Sequence, residues 1–182
     1  MTVPVPADPP ADADLVRAYA GGDERSAAEL VRRHAGAVAR FLSGAGADPG
    51  DVEDLVQETF IKGFRAVGRW RGEASFRTWL LTIATNLLRD THRRRKGREV
   101  LSLEDRDVAA SDDPAATLDA HETERRLAEG LTRLPRMQRE VFLLRAQQGL
   151  EYGEIATALG TTPGAARVHY HHAVKRLKEY VA

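Results

Sequence analysis

Tyr152-Gly153-Glu154-Ile155-Ala156-Thr157-Ala158-Leu159-Gly160-Thr161-Thr162-Pro163-Gly164-Ala165-Ala166-Arg167-Val168 is the sharpest local signal in the chain. Tyr152, Ile155, Ala156 and Leu159 recur at spacings of three and four and so share one face of a short helix, which Gly160 closes. Thr161 and Thr162 then offer a hydroxyl cap, and Pro163 suits the first turn of a second helix. On that helix Ala166, Tyr170, Ala173, Val174, Leu177 and Val181 fall on one side. Gly164, Ala165, Val168, His171, His172 and Lys175 fall opposite, with Arg167, His169, Arg176 and Lys178 at the flanks. Two short helices about a tight turn, the second small at its start and polar beyond, form a helix-turn-helix, whose second helix suits a major groove.

The same helical period runs back through the chain, and no stretch alternates as a strand would. Asp12 or Asp14 is positioned to cap a short helix through Leu15, Val16 and Tyr19, and Asp23 to cap one carrying Ala27, Leu30, Val31, His34, Val38, Phe41 and Leu42. Asp48-Pro49-Gly50-Asp51 starts a helix running to about Val67, with Val52, Leu55, Val56, Phe60, Phe64 and Val67 inside. Asp54, Gln57, Glu58 and Ile61 lie on its second face, an acidic and amide strip with one aliphatic residue turned outward. The loop 70–75 leads to Ser75, a suitable cap for a helix with Phe76, Trp79, Leu80, Ile83, Leu87 and Leu88 inside. Opposite them Thr78, Thr82, Thr85, Asn86, Arg89 and Arg93 form a polar face that runs into the basic cluster 93–98, a surface suited to phosphates and base edges. Trp70, in the loop, is the tryptophan expected to stack on a base. Leu127, Leu131 and Leu134 belong to a further helix that Pro135 ends, and Met137, Val141, Phe142 and Leu144 to another reaching Gly149.

Charge is organised in blocks. Lys and Arg total 27 and so do Asp and Glu, but residues 1–60 are net −6, 61–99 net +8, 100–130 net −6 and 131–182 net +4. Two basic segments separated by an acidic one point to two anion-binding modules on one chain, each beside an acidic surface free for another partner. The expected fold is therefore all-α: two small helical domains, 12–98 and 119–182, joined by an acidic flexible linker, 99–118, after a disordered Pro-rich tail, 1–11.

With no Cys, disulfides and thiolate metal sites are excluded, which suits a reducing cytoplasm. The Pro-rich acidic start has no basic and apolar leader regions, and the longest apolar runs are far short of the roughly 18 residues that cross a bilayer. A cytoplasmic location without membrane insertion is expected. His169, His171 and His172 offer too few ligands for a metal site, and there is no phosphate-binding Gly loop, no His-Glu metal motif and no nucleophile elbow. No cofactor, metal or catalytic residue is expected, and the chain reads as a non-enzyme.

Four strings in order carry a family resemblance: Asp54-Leu55-Val56-Gln57-Glu58-Thr59-Phe60, then Gly72-Glu73-Ala74-Ser75-Phe76-Arg77-Thr78-Trp79-Leu80 with Ile83-Ala84-Thr85-Asn86, then Leu134-Pro135-Arg136-Met137-Gln138-Arg139-Glu140-Val141-Phe142, then the helix-turn-helix. Over about 12–182 the chain resembles bacterial extracytoplasmic-function (ECF) sigma factors of the sigma-70 family. The resemblance implies a factor that binds core RNA polymerase and directs it to promoter DNA, with 12–98 as sigma region 2 and 119–182 as sigma region 4. It implies that Asp54, Gln57, Glu58 and Ile61 dock on the polymerase; that Arg71, Gly72, Glu73, Ala74, Ser75, Asn86, Arg89 and Arg93 meet the minus-ten element; and that Arg167, Val168, His169, His171, His172, Lys175 and Arg176 meet the minus-thirty-five element. It further implies control by an anti-sigma factor. Many relatives carry more cations where this sequence has Val168, His169 and His172, so its minus-thirty-five preference is expected to differ from theirs. The alternative is a stand-alone helix-turn-helix regulator that binds operator DNA without polymerase.

Overall fold

The computed structural model describes residues 11–99 and 118–181, with side chains over 11–95 and 125–180. The expected tail and linker fall outside these apart from their edge residues. All regular structure among the described residues is helical. The helices are α1 (Asp12–Ala20), α2 (Glu24–Ala45), α3 (Val52–Arg65), α4 (Phe76–Glu99), α5 (Leu118–Arg133), α6 (Arg136–Phe142), α7 (Tyr152–Leu159) and α8 (Pro163–Val181). A 3₁₀ turn, Pro49–Asp51, leads into α3, another, Val67–Arg69, follows it, and a wide π turn, Leu143–Gln147, continues α6.

Several ends form as their residues dictate. Asp23 accepts from the Arg25 backbone N–H at 3.1 Å, Ser75 Oγ from that of Thr78 at 3.0 Å, and Thr162 Oγ1 from that of Ala165 at 3.2 Å. Gly160 stops α7 in the left-handed region, φ 66°, which glycine alone takes without a Cβ penalty. Two expected caps do otherwise. Asp12 ends as the first residue of α1 and its carboxylate reaches across to α2, accepting from Arg33 at 3.1 Å and meeting His34 Nε2 at 2.7 Å. Asp48 also makes no cap; it and Asp51 bind the Arg95 guanidinium from α4. In both places a cation one helix away offers a charge-assisted bond, which outweighs a single backbone N–H.

α2, α3 and α4 pack on one another, with α1 against α2, while α5, α6 and α7 pack on α8. These are the two helical domains. One buried core nevertheless runs through both, from Leu30, Phe41 and Leu42 through Leu80 and Leu81 to Leu143, Leu144, Ile155 and Leu177. The domains meet because α4 also packs on α7, and α2 on α6 and the π turn. Gly44 lies under Leu143, whose Cδ2 is only 2.9 Å from where a Cβ would stand, and at Gly46 (φ 96°) the same position is 2.7 Å from the Arg139 guanidinium. The end of α2 is thus a seat without side chains, filled by the other domain.

Candidate nucleic-acid interface

Apolar spacing on α3 fixes which side faces out. Leu55 and Phe60 are buried, Asp54 and Gln57 are exposed, and Ile61 is 49% exposed, one of few large apolar side chains so placed. Glu58 shares this face and bridges to Lys62 at 3.2 Å. The four expected residues form one contiguous strip. An exposed aliphatic among acids and an amide is a poor solvent surface and a good protein-binding one, because it adds apolar area to a charge-selected contact.

Between α3 and α4 lies a shallow cleft of about 220 Å³ lined by Lys62, Ala66, Ile83, Asn86, Leu87 and Asp90. Asn86 is exposed there. Arg93 is exposed at the far end of α4 and pairs with Asp90 at 3.0 Å. The loop residues Arg71, Gly72, Glu73 and Ser75 are exposed, and Gly72 at φ 75° holds the bend. Trp70 is not a free stacking platform: it is half-buried, its Nε1 donates to the Ala74 carbonyl at 3.1 Å, and its ring meets Phe76 edge-on at 5.8 Å. The indole fastens the loop, since an amphipathic ring next to the core gains more from packing than from staying in water.

The polar face expected on α4 is covered in part, with Asn86 and Arg93 left exposed. Thr78 is 2% exposed and donates to Glu154 of α7 at 2.8 Å, and Thr85 is buried and donates to the Leu81 carbonyl at 2.8 Å. Arg89 donates to Glu140 of α6 at 2.8 Å and to the Leu159 carbonyl of α7 at 3.3 Å. Arg77 donates to both the carbonyl and the side-chain oxygen of Gln148, each at 2.6 Å. The consecutive pairs Leu80–Leu81, Ala84–Thr85 and Leu87–Leu88 are all buried, so the covered arc far exceeds one amphipathic stripe. The second domain supplies the extra cover.

The outer face of α8 is open. Val168 is 52% exposed, and Arg167, His171, His172, Lys175 and Arg176 are exposed beside it. Arg167 lies over the Tyr152 ring at 5.3 Å, which orders the guanidinium without using its donors. His169 is the exception: it is half-buried and its Nδ1 is shut from solvent without a hydrogen-bond partner. Sequence reasoning missed Arg77, Glu140, Gln148 and Glu154. A signal did exist for Glu140, which stands three residues after Met137 and four before Leu144, a charge on an apolar stripe.

The sigma-70 region 2 family model matches residues 30–98, and the sigma-70 region 4 model matches residues 124–177. The sigma factor NccH of Alcaligenes xylosoxydans is 33% identical over 87% of this chain and 88% of its own length, and the ECF sigma factor SigF of Caulobacter vibrioides 39% identical over 77% and 74%. This chain belongs to the ECF sigma factors of the sigma-70 family. As a sigma factor it binds RNA polymerase and serves transcription initiation by recognising promoters. A solved structure of the sigma factor CnrH with the cytosolic domain of CnrY superposes with TM-score 0.70 at 29% identity, covering 93% of this chain and 96% of that one. The sigma factor RpoE of Bartonella quintana, solved with the anti-sigma factor NepR, shares the fold at TM-score 0.72 and 23% identity, over 84% and 94%. No helix among the described residues is long and apolar enough to cross a membrane.

Proposed function

We propose that this sigma factor docks on core polymerase through Asp54, Gln57, Glu58 and Ile61, meets the minus-ten element through Arg71–Ser75 with Asn86, Arg89 and Arg93, and reads the minus-thirty-five element through α8. The single observation that carries this reading is the placement of an exposed, aliphatic-bearing acidic strip on α3 within a body whose two cationic helices, α4 and α8, belong to different domains. Acidic and amide side chains select a basic polymerase surface and repel DNA, so binding to the enzyme and binding to the template are kept on separate faces. In the minus-ten assignment the loop held by Trp70 and Gly72 presents backbone and polar groups to an unstacked base, while Arg93 and Arg89 neutralise phosphates. At α8, Arg167 supplies a bidentate donor pair for guanine, Val168 an apolar contact to a thymine methyl, and Lys175 and Arg176 phosphate contacts.

The factor supplies no catalytic group of its own and works in the cytoplasm with the polymerase. A protein partner of the anti-sigma kind holds it inactive, a reading supported by the structure of RpoE solved with the anti-sigma factor NepR and by that of CnrH solved with the cytosolic domain of CnrY. Run-off transcription with purified core polymerase on a promoter-fragment library tests the proposal. Discrete transcripts are expected with the wild-type chain, and Gln57→Ala with Glu58→Lys should lower core binding at least tenfold with the fold intact. Normal core binding by that variant would remove the docking assignment.

A further inference from the structure

A row of contacts crosses the helix-turn-helix and ends on a residue of the outer face of α8. Phe142 of α6 stacks on Tyr170 of α8, with ring centroids 6.0 Å apart and planes 14° off parallel, and Tyr170 meets Tyr152 of α7 edge-on at 6.2 Å. Two guanidiniums lie over the Tyr152 ring, that of Arg145 at 5.1 Å and that of Arg167 at 5.3 Å. Tyr152 is half-buried, so its ring is fixed by the aromatics beneath and still offers a face to the surface. Helical periodicity gives Tyr152 only an apolar place in the first helix of the motif, and a leucine would fill that place as well. What a leucine lacks is a π face for a cation.

The two arginines differ in what else they touch. Arg145 Nη1 donates to Glu151 at 2.8 Å and to the Leu150 carbonyl at 2.9 Å, so its charge is met inside the turn that precedes α7. Two cations on one ring repel, and the Glu151 carboxylate offsets that cost. Arg167 has no hydrogen-bond acceptor or ion-pair partner among the described residues, so the ring orders it while all its N–H donors stay available. An exposed arginine gives up rotamer freedom when it takes up a bidentate geometry, and a guanidinium already held near one place gives up less. Lys175 and Arg176, exposed further along α8, have no such ring contact among the described residues, which suits phosphate contacts that tolerate a range of positions.

We infer that Tyr152 is a positioning residue for minus-thirty-five recognition: its ring, seated on Tyr170 and charge-balanced by the Arg145–Glu151 pair, holds the Arg167 guanidinium for bidentate reading of one guanine. The inference rests on the guanine assignment of Arg167 proposed above. Tyr152 acts through Arg167 and not on a base. Its removal therefore erases discrimination at one base pair and spares the phosphate contacts of α8, whereas loosening of the domain would weaken binding to every sequence alike.

The test uses promoter fragments selected by the holoenzyme and carrying 7-deazaguanine at one minus-thirty-five guanine at a time, which deletes the N7 acceptor and keeps the base pair. For the wild type, one guanine should show a loss of affinity on the order of tenfold, and Tyr152→Leu should shrink that penalty below about twofold. Tyr152→Phe keeps the ring and should keep the penalty. Adding Tyr152→Leu to Arg167→Ala should change discrimination no further than Arg167→Ala alone. Without DNA, nitrogen relaxation at Arg167 Nε in the full chain should give an order parameter above about 0.6 for the wild type and Tyr152→Phe, and below it for Tyr152→Leu. The proposal is overturned by a penalty that survives Tyr152→Leu, by a mobile wild-type guanidinium, or by Tyr152→Phe behaving as Tyr152→Leu, which would give the role to the hydroxyl. No penalty at any guanine in the wild type removes the guanine assignment and the proposal with it, and is told apart from failure of the ring contact because the relaxation involves no DNA.

Discussion

α4 and α8 are both long cationic helices, and they are treated differently by the fold. α8 packs one stripe, Ala166, Ala173 and Leu177, against its own domain and leaves Arg167, Val168 and His172 in solvent. α4 packs on its own domain and also on α7, so Leu81, Thr78 and Thr85 are closed off along with its expected core. The outer face of α8 is therefore open along its length, whereas on α4 Thr78 and Thr85 are covered and Asn86 and Arg93 stay exposed. The lesson is that residue type decides what a surface can bind, and domain packing decides how much of that surface meets solvent.

The sharpest way to break this contrast is truncation. Leu81→Ala, at a site with 0% exposure, should cost about 2–5 kcal/mol in urea unfolding, whereas Val168→Ala should change stability by less than about 0.5 kcal/mol. Similar costs at the two sites would mean that α4 is not covered as described. Arg89→Ala leaves the buried Glu140 carboxylate with only Arg136, at 3.6 Å, and should lose about 1–3 kcal/mol, with much of the loss recovered in Arg89→Ala/Glu140→Leu, where the charge is gone too. A double variant no more stable than the single one would argue against the pair. Arg167→Ala should leave the unfolding midpoint in place and cost about 1–3 kcal/mol in minus-thirty-five binding by the holoenzyme, read by competition between promoter fragments.

The smallest effect expected is acid weakening of the α1–α2 end. Hydrogen bonds from Arg32 and Arg33 hold the Glu29 carboxyl down to about 2, and the Ser26 hydroxyl lowers Asp23. Carboxyls lowered by folding stabilise the fold above their ordinary values near 4, and that contribution fades as pH falls toward the native ones. Amide exchange in the first turns of α2 should accelerate between about pH 4 and pH 2 with α8 unaffected; equal acceleration in both helices would contradict the assignment.

How much of this was legible in the sequence follows from where burial comes from. Helix positions, the turn at Gly160, the Asp23 and Ser75 caps and the open face of α8 depend on residues within a few turns, and periodicity reads them directly. The outward strip on α3 was legible for the same reason. The second burial of α4 was not, because its cover arrives from residues 71 to 76 positions away: Gln148 on Arg77 and Glu154 on Thr78. A threonine that bonds a distant carboxylate looks, in a helical period, like one facing water. Trp70 departs from its expected role for the same reason, since a loop position says nothing of the Phe76 ring beneath it.

Promoter-fragment binding by the full chain, with and without core polymerase, tests the account most directly. The account predicts negligible binding by the chain alone and tight, salt-sensitive binding once the polymerase is added. Equal affinity in both conditions would contradict it and would leave a regulator that reads its operator unaided.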